Sequence, residues 1–519
     1  MEELVLSIDC GTQSIRAIIF SLDGEILDKE KIEYNPYYSI NPGWAEQNAE
    51  VYWESLCKAC KNLEQRDPLR YKRIKGVGVT ALRNSMVNVD EKGIPLRPLM
   101  VWLDQRKAIP TYKPEFPINL ALRIVGMEAT IQNMQKEGKC NWVRQNQPDI
   151  WQNTHKYIQV SGFLNYRLTG EFNDSVASQI GYVPFDYKRL KWGKGTKPFD
   201  FSSKIYPVEK EKLPDLVSPG ELLGMVTKQA ASQTGIPEGI SVIACGSDKG
   251  CETLGMGVLD NTMASLSFGT TATIQTTTSS YMEPSPFMPA YPAAIPGKFN
   301  PEIEIFRGYW MVTWFKNEFA YKEVQMATLR GIPAEEIMND LLRKAPAGSQ
   351  GLIVQPYWSP GLAEPLAKGA IIGFGDVHTK AHVYRAVIEG LAYGLLDGMH
   401  KLEKRGKMKF EKLTVSGGAS QSDEICQINA DVFNLPLMRG GTFENSGLGA
   451  AILTAYGIKS FDTLEKAVEG MVRYQKTFYP NKDNVIIYRR LFKKVYKKIY
   501  GSLESLYKDI GEITGYPEA

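Results

Sequence analysis

SIDCGTQSIRAI at residues 7–18 and SLSFGTTATIQT at residues 265–276 decide the architecture of this 519-residue chain. Each is a strand-like apolar run, a Gly-Thr tip and a second such run, which is the pattern of a β-hairpin. One copy opens each half of the chain, and a repeated segment indicates a repeated structural unit. Since 519 residues are also too many for one ordinary hydrophobic core, the sequence predicts two similar domains.

Composition and charge exclude several classes of protein. Hydrophobic residues make up 43% of the chain and charged residues 23%, as in ordinary globular proteins. A formal net charge of +3 gives no electrostatic reason for a nucleic-acid partner, and no apolar run approaches the length of a membrane-spanning helix. The seven cysteines lack the spacing of a disulfide framework, and the acidic start, MEELVLSIDC, indicates no signal peptide. We therefore expect a cytoplasmic protein that binds neither nucleic acid nor membranes.

The two Gly-Thr tips have the chemistry of phosphate-binding loops. Glycine lets the backbone approach a ligand closely, and successive N–H groups with hydroxyls form a concave donor site for phosphate oxygens. The first tip consists of Gly11, Thr12, Gln13 and Ser14, and the second begins at Gly269 and Thr270. Either tip alone is equally well explained as a tight turn. Two tips that face each other could hold a polyphosphate from both sides.

Two carboxylates lie next to these loops in the sequence. Asp9 ends the strand before the first tip, where it could hold Mg²⁺ directly or through water; alternatively, it bonds only its own turn. Asp248 follows the buried-strand pattern SVIACG at residues 241–246 and could merely cap the next helix. Its position before the second hairpin, at the junction of the two halves, instead favours a base that accepts the proton of an attacking hydroxyl.

A third glycine turn lies in LTVSGGAS at residues 413–420. A strand runs into Gly417 and Gly418, and a helix pattern follows, so a flat group such as adenine or ribose could lie against bare backbone there. The spacing is not G-x-G-x-x-G and there is no Walker A sequence, which disfavours a dinucleotide-binding fold.

In this order, the motifs resemble those of the FGGY carbohydrate kinases, a branch of the actin-like ATPase superfamily. The most specific stretch is GAIIGFGDVHTKAHVYRAVIEG at residues 369–390, which resembles the family's C-terminal signature. PGWAEQ at residues 42–47 and FDYKRLKW at residues 185–192 also resemble family segments. The other family signature is matched in part: the residues that fit are Lys139, Trp142, Gln145 and Asn146, and those that depart are Lys136 and Cys140.

The resemblance implies an α/β fold of two actin-like (ribonuclease H-like) domains, residues 1–258 and 259–519, that flank a deep cleft. It implies ATP and Mg²⁺ as cofactors, Asp9 as the metal-associated carboxylate and Asp248 as the catalytic base, and homodimers are common in such families. The family has a nucleotide-binding glycine ahead of its W-[LF]-x-[DN] helix, which is Trp314-Phe-Lys-Asn here. Tyr309 stands at the expected glycine position, and the resemblance assigns the role to Gly308, one residue earlier. The implied nucleotide-binding residues are Gly11, Thr12, Gln13, Ser14, Gly269, Thr270, Gly308, Gly417, Gly418 and Ser420.

The acceptor pocket is expected in the first half of the chain. Arg83 matches an arginine of glycerol kinases, whereas Trp102-Leu-Asp104-Gln-Arg106 resembles the W-x-D-x-R segment of xylulokinases. An aromatic face against a carbon chain, with Arg83, Asp104 and the base Asp248 near the hydroxyls, suits a sugar or polyol. The alternative for Trp102 is packing in the core.

These residues together predict an ATP-dependent kinase of a small sugar or polyol, with a ketopentose such as xylulose favoured. Glycerol, another polyol or an autoinducer-2-like compound is the alternative acceptor. A remote alternative is a non-catalytic ATP-binding actin-like protein. RRLFKKVYKKIY at residues 489–500 predicts an amphipathic helix whose apolar face docks on the body of the protein, with a membrane-surface or partner helix as the alternative.

Overall fold

Two six-stranded mixed sheets form the centre of the protein. The computed structural model describes residues 3–116, 118–124, 128–194, 201–286, 288–359 and 366–516. The strand order of the N-terminal sheet is Leu222–Met225, Ser241–Ile243, Ile74–Ala81, Leu4–Cys10, Ser14–Ser21 and Ile26–Glu33. The strand order of the C-terminal sheet, from the matching edge, is Tyr474–Phe478, Leu437–Gly440, Lys412–Ser416, Met263–Phe268, Ala272–Thr276 and Glu302–Ile305.

The two sheets have the same pattern of strand directions. In each, the predicted hairpin is antiparallel, its first strand runs parallel to the next two strands, and both edge strands are antiparallel to their neighbours. In the first hairpin Asp9 lies opposite Arg16, and in the second Phe268 lies opposite Ala272. The predicted repeat of a strand, a Gly-Thr tip and a strand is therefore confirmed, and the α/β fold with it.

Smaller sheets and two-stranded ribbons surround this centre. A four-stranded sheet in the first half carries the loops of the expected acceptor side. Its strands, in order, are Glu46–Gln47, Leu99–Met100, Met86–Val89 and Lys156–Gln159. The paired short strands are Phe185–Asp186 with Lys191–Trp192, Asn173–Ser175 with Asp215–Val217, Tyr291–Pro292 with Phe299–Asn300, and Ile353–Gln355 with Ala370–Ile372.

Helices cover both faces of the sheets, as in other layered α/β proteins. In the first half they are Ala49–Arg66, Pro68–Tyr71, Ile118–Ile124, Glu128–Glu137, Lys139–Asn146, Pro148–Asn153, Val160–Thr169, Ser202–Ile205, Lys228–Thr234 and Asp248–Gly255. In the second half they are Trp310–Phe319, Tyr321–Arg330, Ala334–Lys344, Lys380–Gly406, Asp423–Phe433, Asn445–Gly457, Leu464–Met471, Lys482–Leu491 and Lys497–Thr514. Short 3₁₀ turns are Val176–Ser178, Lys210–Lys212, Ser349–Gly351 and Gly418–Gln421, and Phe492–Tyr496 is a π-helical turn.

The C-terminal signature forms the start of the longest helix, Lys380–Gly406. His382 and the N-cap residue Thr379 form a reciprocal capping box. Glu389 is buried and accepts hydrogen bonds from the Gly348 amide at 3.0 Å and from the Tyr488 hydroxyl at 2.8 Å. His382 and Glu389 of the signature therefore cap and brace this helix.

Two helices cross between the halves of the chain. Asp248–Gly255 follows a strand of the N-terminal sheet but packs on the C-terminal sheet, where Lys249 Nζ donates to Ser267 Oγ at 2.9 Å. Asn445–Gly457 follows a strand of the C-terminal sheet but packs on the N-terminal sheet, where a Cβ on Gly447 would lie 2.8 Å from Ile18. The division between residues 258 and 259 stays a prediction, since each half supplies a helix to the other.

Glycines let the two exchanged helices approach each other closely. A Cβ on Gly449 would overlap the carbonyl of Cys251, and a Cβ on Gly255 would overlap the carbonyl of Asn445. Only small residues fit such a contact, because the helix backbones touch directly.

The C-terminal amphipathic helix docks on the protein, as predicted. Phe492, Tyr496 and Ile499 are buried in the core of the second half, and the neighbouring lysines face outward. Among the residues described, none of the helices combines the length and apolar character needed to cross a bilayer.

Candidate active site

The first predicted phosphate-binding loop is a tight hairpin tip at the end of the central strand Leu4–Cys10. The Gly11 amide donates to the Ser14 carbonyl at 2.9 Å, and the Tyr34 hydroxyl donates to the Gly11 carbonyl at 2.7 Å. The tip is thus held from behind, with Thr12 half-buried and Gln13 exposed at its outer side. This arrangement suits a backbone cradle for an anion.

Trp102 lies against this loop. Its indole Nε1 donates to Thr12 Oγ1 at 3.0 Å. The backbone of Trp102 is held by a 3.2 Å hydrogen bond from its amide to Ser85 Oγ. Trp102 is 48% exposed, so the alternative of core packing is wrong. Its contact with an acceptor stays a prediction, and the structure gives it an open aromatic face beside the first loop.

The second predicted phosphate-binding loop is supported by the segment around Gly308. The Gly269 carbonyl accepts from the Tyr309 amide at 3.1 Å, and Thr270 is exposed at the tip. A Cβ on Gly308 would overlap the backbone of Ala272, directly after the tip. Gly308 therefore packs behind the loop, so the structure gives it a supporting contact, and its predicted contact with nucleotide remains untested.

The third glycine turn lies next to the second loop. Gly417 has a φ of +88°, and a Cβ there would lie 2.7 Å from the carbonyl carbon of Phe268, the residue before Gly269. Gly418 is exposed with open space around it. Ser420 is fully buried and donates to the Gly417 carbonyl at 2.6 Å, so its hydroxyl shapes the turn. The structure brings two of the three glycine sites together at the same edge of one sheet.

Asp9 is a buried carboxylate at the end of the central strand. It pairs with Arg16 at 3.1 Å, and Glu444 approaches the other side of that guanidinium at 3.4 Å. Burial raises the pKa of Asp9 to about 6, Arg16 opposes this, and the negative charge of Asp248 adds to it. A divalent cation would favour the ionised carboxylate, and one carboxylate with phosphate oxygens and water is a usual set of ligands for Mg²⁺. Within the described ranges, no group of three or more ligating side chains forms a protein-only metal site.

Asp248 is the first residue of the helix Asp248–Gly255. The N-cap is Ser247, whose Oγ accepts from the Gly250 amide at 3.2 Å, so the alternative that Asp248 merely caps the helix is wrong. Asp248 Oδ1 accepts from the Lys249 amide at 2.7 Å and lies 3.9 Å from Arg83 Nε. Burial raises the pKa of Asp248, and Arg83 opposes this rise. A partly exposed carboxylate with a raised pKa suits a general base.

A partly buried ion pair joins the helix of Asp248 to the strands that lead into both predicted nucleotide-binding loops. Lys249 Nζ pairs with Glu252 at 2.7 Å. Glu252 Oε1 accepts from Ser267, two residues before Gly269, at 3.0 Å and from Ser416, directly before Gly417. Burial pushes the pKa of Glu252 upward, but Lys249 and the hydroxyls hold it below its usual value. The sequence analysis missed this network, for which the i,i+3 spacing of Lys249 and Glu252 was the available signal.

Arg83 connects the two halves of the chain at the predicted acceptor side. Its Nη1 donates to Glu302 Oε2 at 2.9 Å, and its guanidinium lies 5.2 Å from the centre of the Tyr291 ring. Both partners come from the second half of the chain. The structure thus brings Arg83 to Asp248, as predicted, and adds Glu302, which the sequence analysis did not select.

Asp104 is held inside the protein. Its side chain is 1% exposed, it accepts from the Ala45 amide at 2.7 Å, and it forms a close ion pair with Arg106. The Arg106 guanidinium in turn lies 4.1 Å from the Trp44 ring and 4.7 Å from the Trp142 ring. The PGWAEQ segment and the partly matched signature therefore meet around one arginine. The predicted contact of Asp104 with a sugar stays a prediction, and the structure places its bonds within the protein.

Lys139, another signature residue, links the two loops of the acceptor side. It is buried, and its Nζ donates to the backbone carbonyls of Asn84 and Met100 at 3.2 and 3.4 Å, and to that of Val101. Asn84 adopts a left-handed φ of +55° in the loop after Arg83. One ammonium therefore fixes the backbone next to both Arg83 and Trp102.

Comparison with known proteins places this geometry in a family. Residues 4–255 match the N-terminal domain, and residues 264–458 the C-terminal domain, of the FGGY family of carbohydrate kinases. The chain belongs to this family. It is therefore a carbohydrate kinase that uses ATP as its phosphate donor, and the alternative of a non-catalytic actin-like protein is set aside.

Relatives of known name extend over the whole chain. A xylulose kinase of Staphylococcus epidermidis (strain RP62A) is 30% identical over 525 residues, covering 99% of this chain and 100% of the relative. The crystal structure of a ligand-bound xylulose kinase from Lactobacillus acidophilus has a TM-score of 0.82 at 21% identity and covers 98% of this chain and 99% of that one. A gluconate kinase structure from the same organism has the same TM-score at 20% identity, covering 98% and 100%. The fold is therefore common to kinases with different acceptors.

Proposed function

We propose that this carbohydrate kinase transfers the γ-phosphoryl group of ATP to a hydroxyl of a small sugar or polyol, with Asp248 as general base. The observation that carries the proposal is the position of Asp248. It lies 3.9 Å from Arg83 on the acceptor side, and its helix is joined through Lys249 to Ser267 beside the second phosphate-binding loop. A base between an acceptor site and a phosphate loop is what in-line transfer to a hydroxyl requires.

Each part of the site has a role in the reaction. The acceptor oxygen attacks the γ-phosphorus, the bond from that phosphorus to the bridging oxygen of ADP breaks, and Asp248 takes the hydroxyl proton. The tips at Gly11–Ser14 and Gly269–Thr270 bind the phosphates, and Gly417 and Gly418 face the adenosine. Asp9 would hold Mg²⁺, which when bound would neutralise part of the phosphate charge.

The favoured acceptor is a ketopentose such as xylulose. The W-x-D-x-R segment at Trp102–Arg106 and the whole-length similarity to xylulose kinases support this choice. Glycerol, another polyol or an autoinducer-2-like compound remains the alternative, which Arg83 supports because it lies beside the base. A homodimer, a cytoplasmic location and the domain division after residue 258 remain predictions from the sequence.

The test is release of ADP in a coupled assay with ATP, Mg²⁺ and a panel of ketoses, alditols and aldonates. Wild type is expected to respond to one acceptor class, and Asp248→Asn is expected to lose at least about a thousandfold in kcat while binding ADP as before. Asp260→Asn, at the far end of the strand that leads to the second loop, is the matched control and should keep its turnover. Turnover by Asp248→Asn at the wild-type rate would contradict the assigned base.

A further inference from the structure

Two glutamates on an edge strand of the C-terminal sheet face the acceptor side. In the strand Glu302–Ile305, residues 302 and 304 point to the same face, because side chains alternate along a strand. Glu302 lies opposite Gln275, and Gln275 accepts a hydrogen bond from Thr253 of the helix that begins at Asp248. The shared face of both glutamates is therefore the face on which the helix of the catalytic base packs.

Glu302 has one oxygen in use and one without a partner. Its side chain is 1% exposed, and Oε2 accepts from Arg83 at 2.9 Å. Oε1 is buried and makes no hydrogen bond within the described part of the chain. A buried carboxylate oxygen without a donor is costly, so a ligand hydroxyl that donates to Oε1 would satisfy it.

The surroundings of Glu302 are negative. Glu304 on the same face makes no ion pair with any residue that the structure describes, and burial together with the charge of Glu302 raises its pKa to about 7. The nearby cations are already paired, since Arg83 binds Glu302 and Lys249 binds Glu252. The predicted acceptor side therefore holds two carboxylates, one with a buried oxygen that has no donor, while its cations have carboxylate partners.

We propose that Glu302 and Glu304 select acceptors by charge. The site accepts a neutral sugar or polyol, which donates a hydrogen bond from one hydroxyl to Glu302 Oε1, and it rejects a sugar acid. The inference rests on the proposed kinase function and narrows its substrate class. A carboxylate of an aldonate would approach these two side chains without a free cation to pair with it. At separations of several ångströms in a partly buried site, such repulsion changes binding by on the order of tenfold or more.

The experiment compares neutral and anionic acceptors on the full-length protein. ADP release is measured at about pH 8.5, above the pKa of Glu304, with D-xylulose, D-ribulose and D-gluconate for wild type, Glu302→Gln and Glu304→Gln. Wild type should prefer the ketoses. Each variant should raise the ratio of kcat/KM for gluconate over xylulose by about tenfold, because a negative charge is removed and, in Glu302→Gln, Arg83 becomes free. Glu411→Gln, exposed directly before a different strand at the end of the sheet away from the Gly269–Thr270 tip, should leave the ratio unchanged.

The outcomes separate this inference from the proposed function. Gluconate as the best wild-type acceptor, or an unchanged ratio in both variants, would overturn the charge selection while leaving the kinase function intact. If no acceptor stimulates ADP release, the proposed acceptor class is wrong. The charge selection is then tested by how much each of the three compounds raises the melting temperature of the protein in the presence of ADP. Stabilisation by gluconate equal to that by the ketoses overturns it, and stabilisation by the ketoses alone supports it.

Discussion

Replacing Lys139 by methionine tests how one buried lysine holds the predicted acceptor side together. Its Nζ donates to backbone carbonyls in the loops that carry Arg83 and Trp102. Methionine has a similar length and fills the same space, but it cannot donate. We expect two effects: the acceptor KM rises while the KM for ATP changes little, and the pH dependence of folding stability changes.

The magnitude follows from the pKa of Lys139. Burial lowers this pKa from its ordinary value near 10.4 to about 7, although Asp104 opposes the shift. Between these two pH values the unfolded chain binds more protons at Lys139 than the folded protein does. The free energy of unfolding therefore rises with pH across this range and decreases as the pH falls toward 7. Between pH 7 and pH 9 this change amounts to about 2 kcal/mol. Methionine does not titrate, so the wild-type advantage over Lys139→Met should grow by that amount.

Urea unfolding of both proteins at pH 7, 8 and 9, followed by tryptophan fluorescence, measures this difference. Lys136→Met, which removes a less buried lysine three residues earlier, is the matched control, and its difference from wild type should stay constant. A difference between wild type and Lys139→Met that does not vary with pH would refute the reasoning, because Lys139 would then keep its proton in the folded protein.

Two further substitutions probe the loops. Trp102→Ala should raise the acceptor KM more than the KM for ATP. Trp102→Phe, which keeps a ring but loses the bond to Thr12, should lower kcat/KM only about two- to tenfold. Equal acceptor KM values for Trp102→Ala and wild type would remove Trp102 from the acceptor site. Gly417→Ala should weaken ATP binding and lower stability by about 1–2 kcal/mol, because of its positive φ and the nearby Phe268 backbone. Gly418→Ala, with open space around it, is its control for stability, and an equal loss in both would contradict the assigned contact.

The features that depend on local sequence patterns could be predicted from the sequence. Alternating strands and Gly-Thr tips are local, so both hairpins and the turn at Gly417 were predictable. The place of Asp248 between the halves was enough to predict its approach to Arg83, and its role as base stays a prediction. The roles of side chains were less predictable. Asp104 fits a substrate-contact spacing, but its oxygens are taken by Ala45 and Arg106.

Contacts between distant parts of the chain could not be derived from one sequence. Glu302 lies more than 200 residues from Arg83, and nothing near it in the sequence indicates that they pair. The Lys249–Glu252 pair is close in sequence, but its purpose depends on Ser267 and Ser416, which belong to different strands. Such networks form only once the two sheets and the exchanged helices are in place.

The exchanged helices also determine what can be separated in this protein. The strands bearing Val5 and Ile18 are covered by Asn445–Gly457, and all three belong to one apolar cluster with Leu464–Met471. A fragment that ended near residue 258 would leave this cluster open to water, so it would tend to associate or be degraded. The two sheets are thus separate in architecture but interdependent in folding, and a gene encoding only one of them would not produce a self-sufficient module.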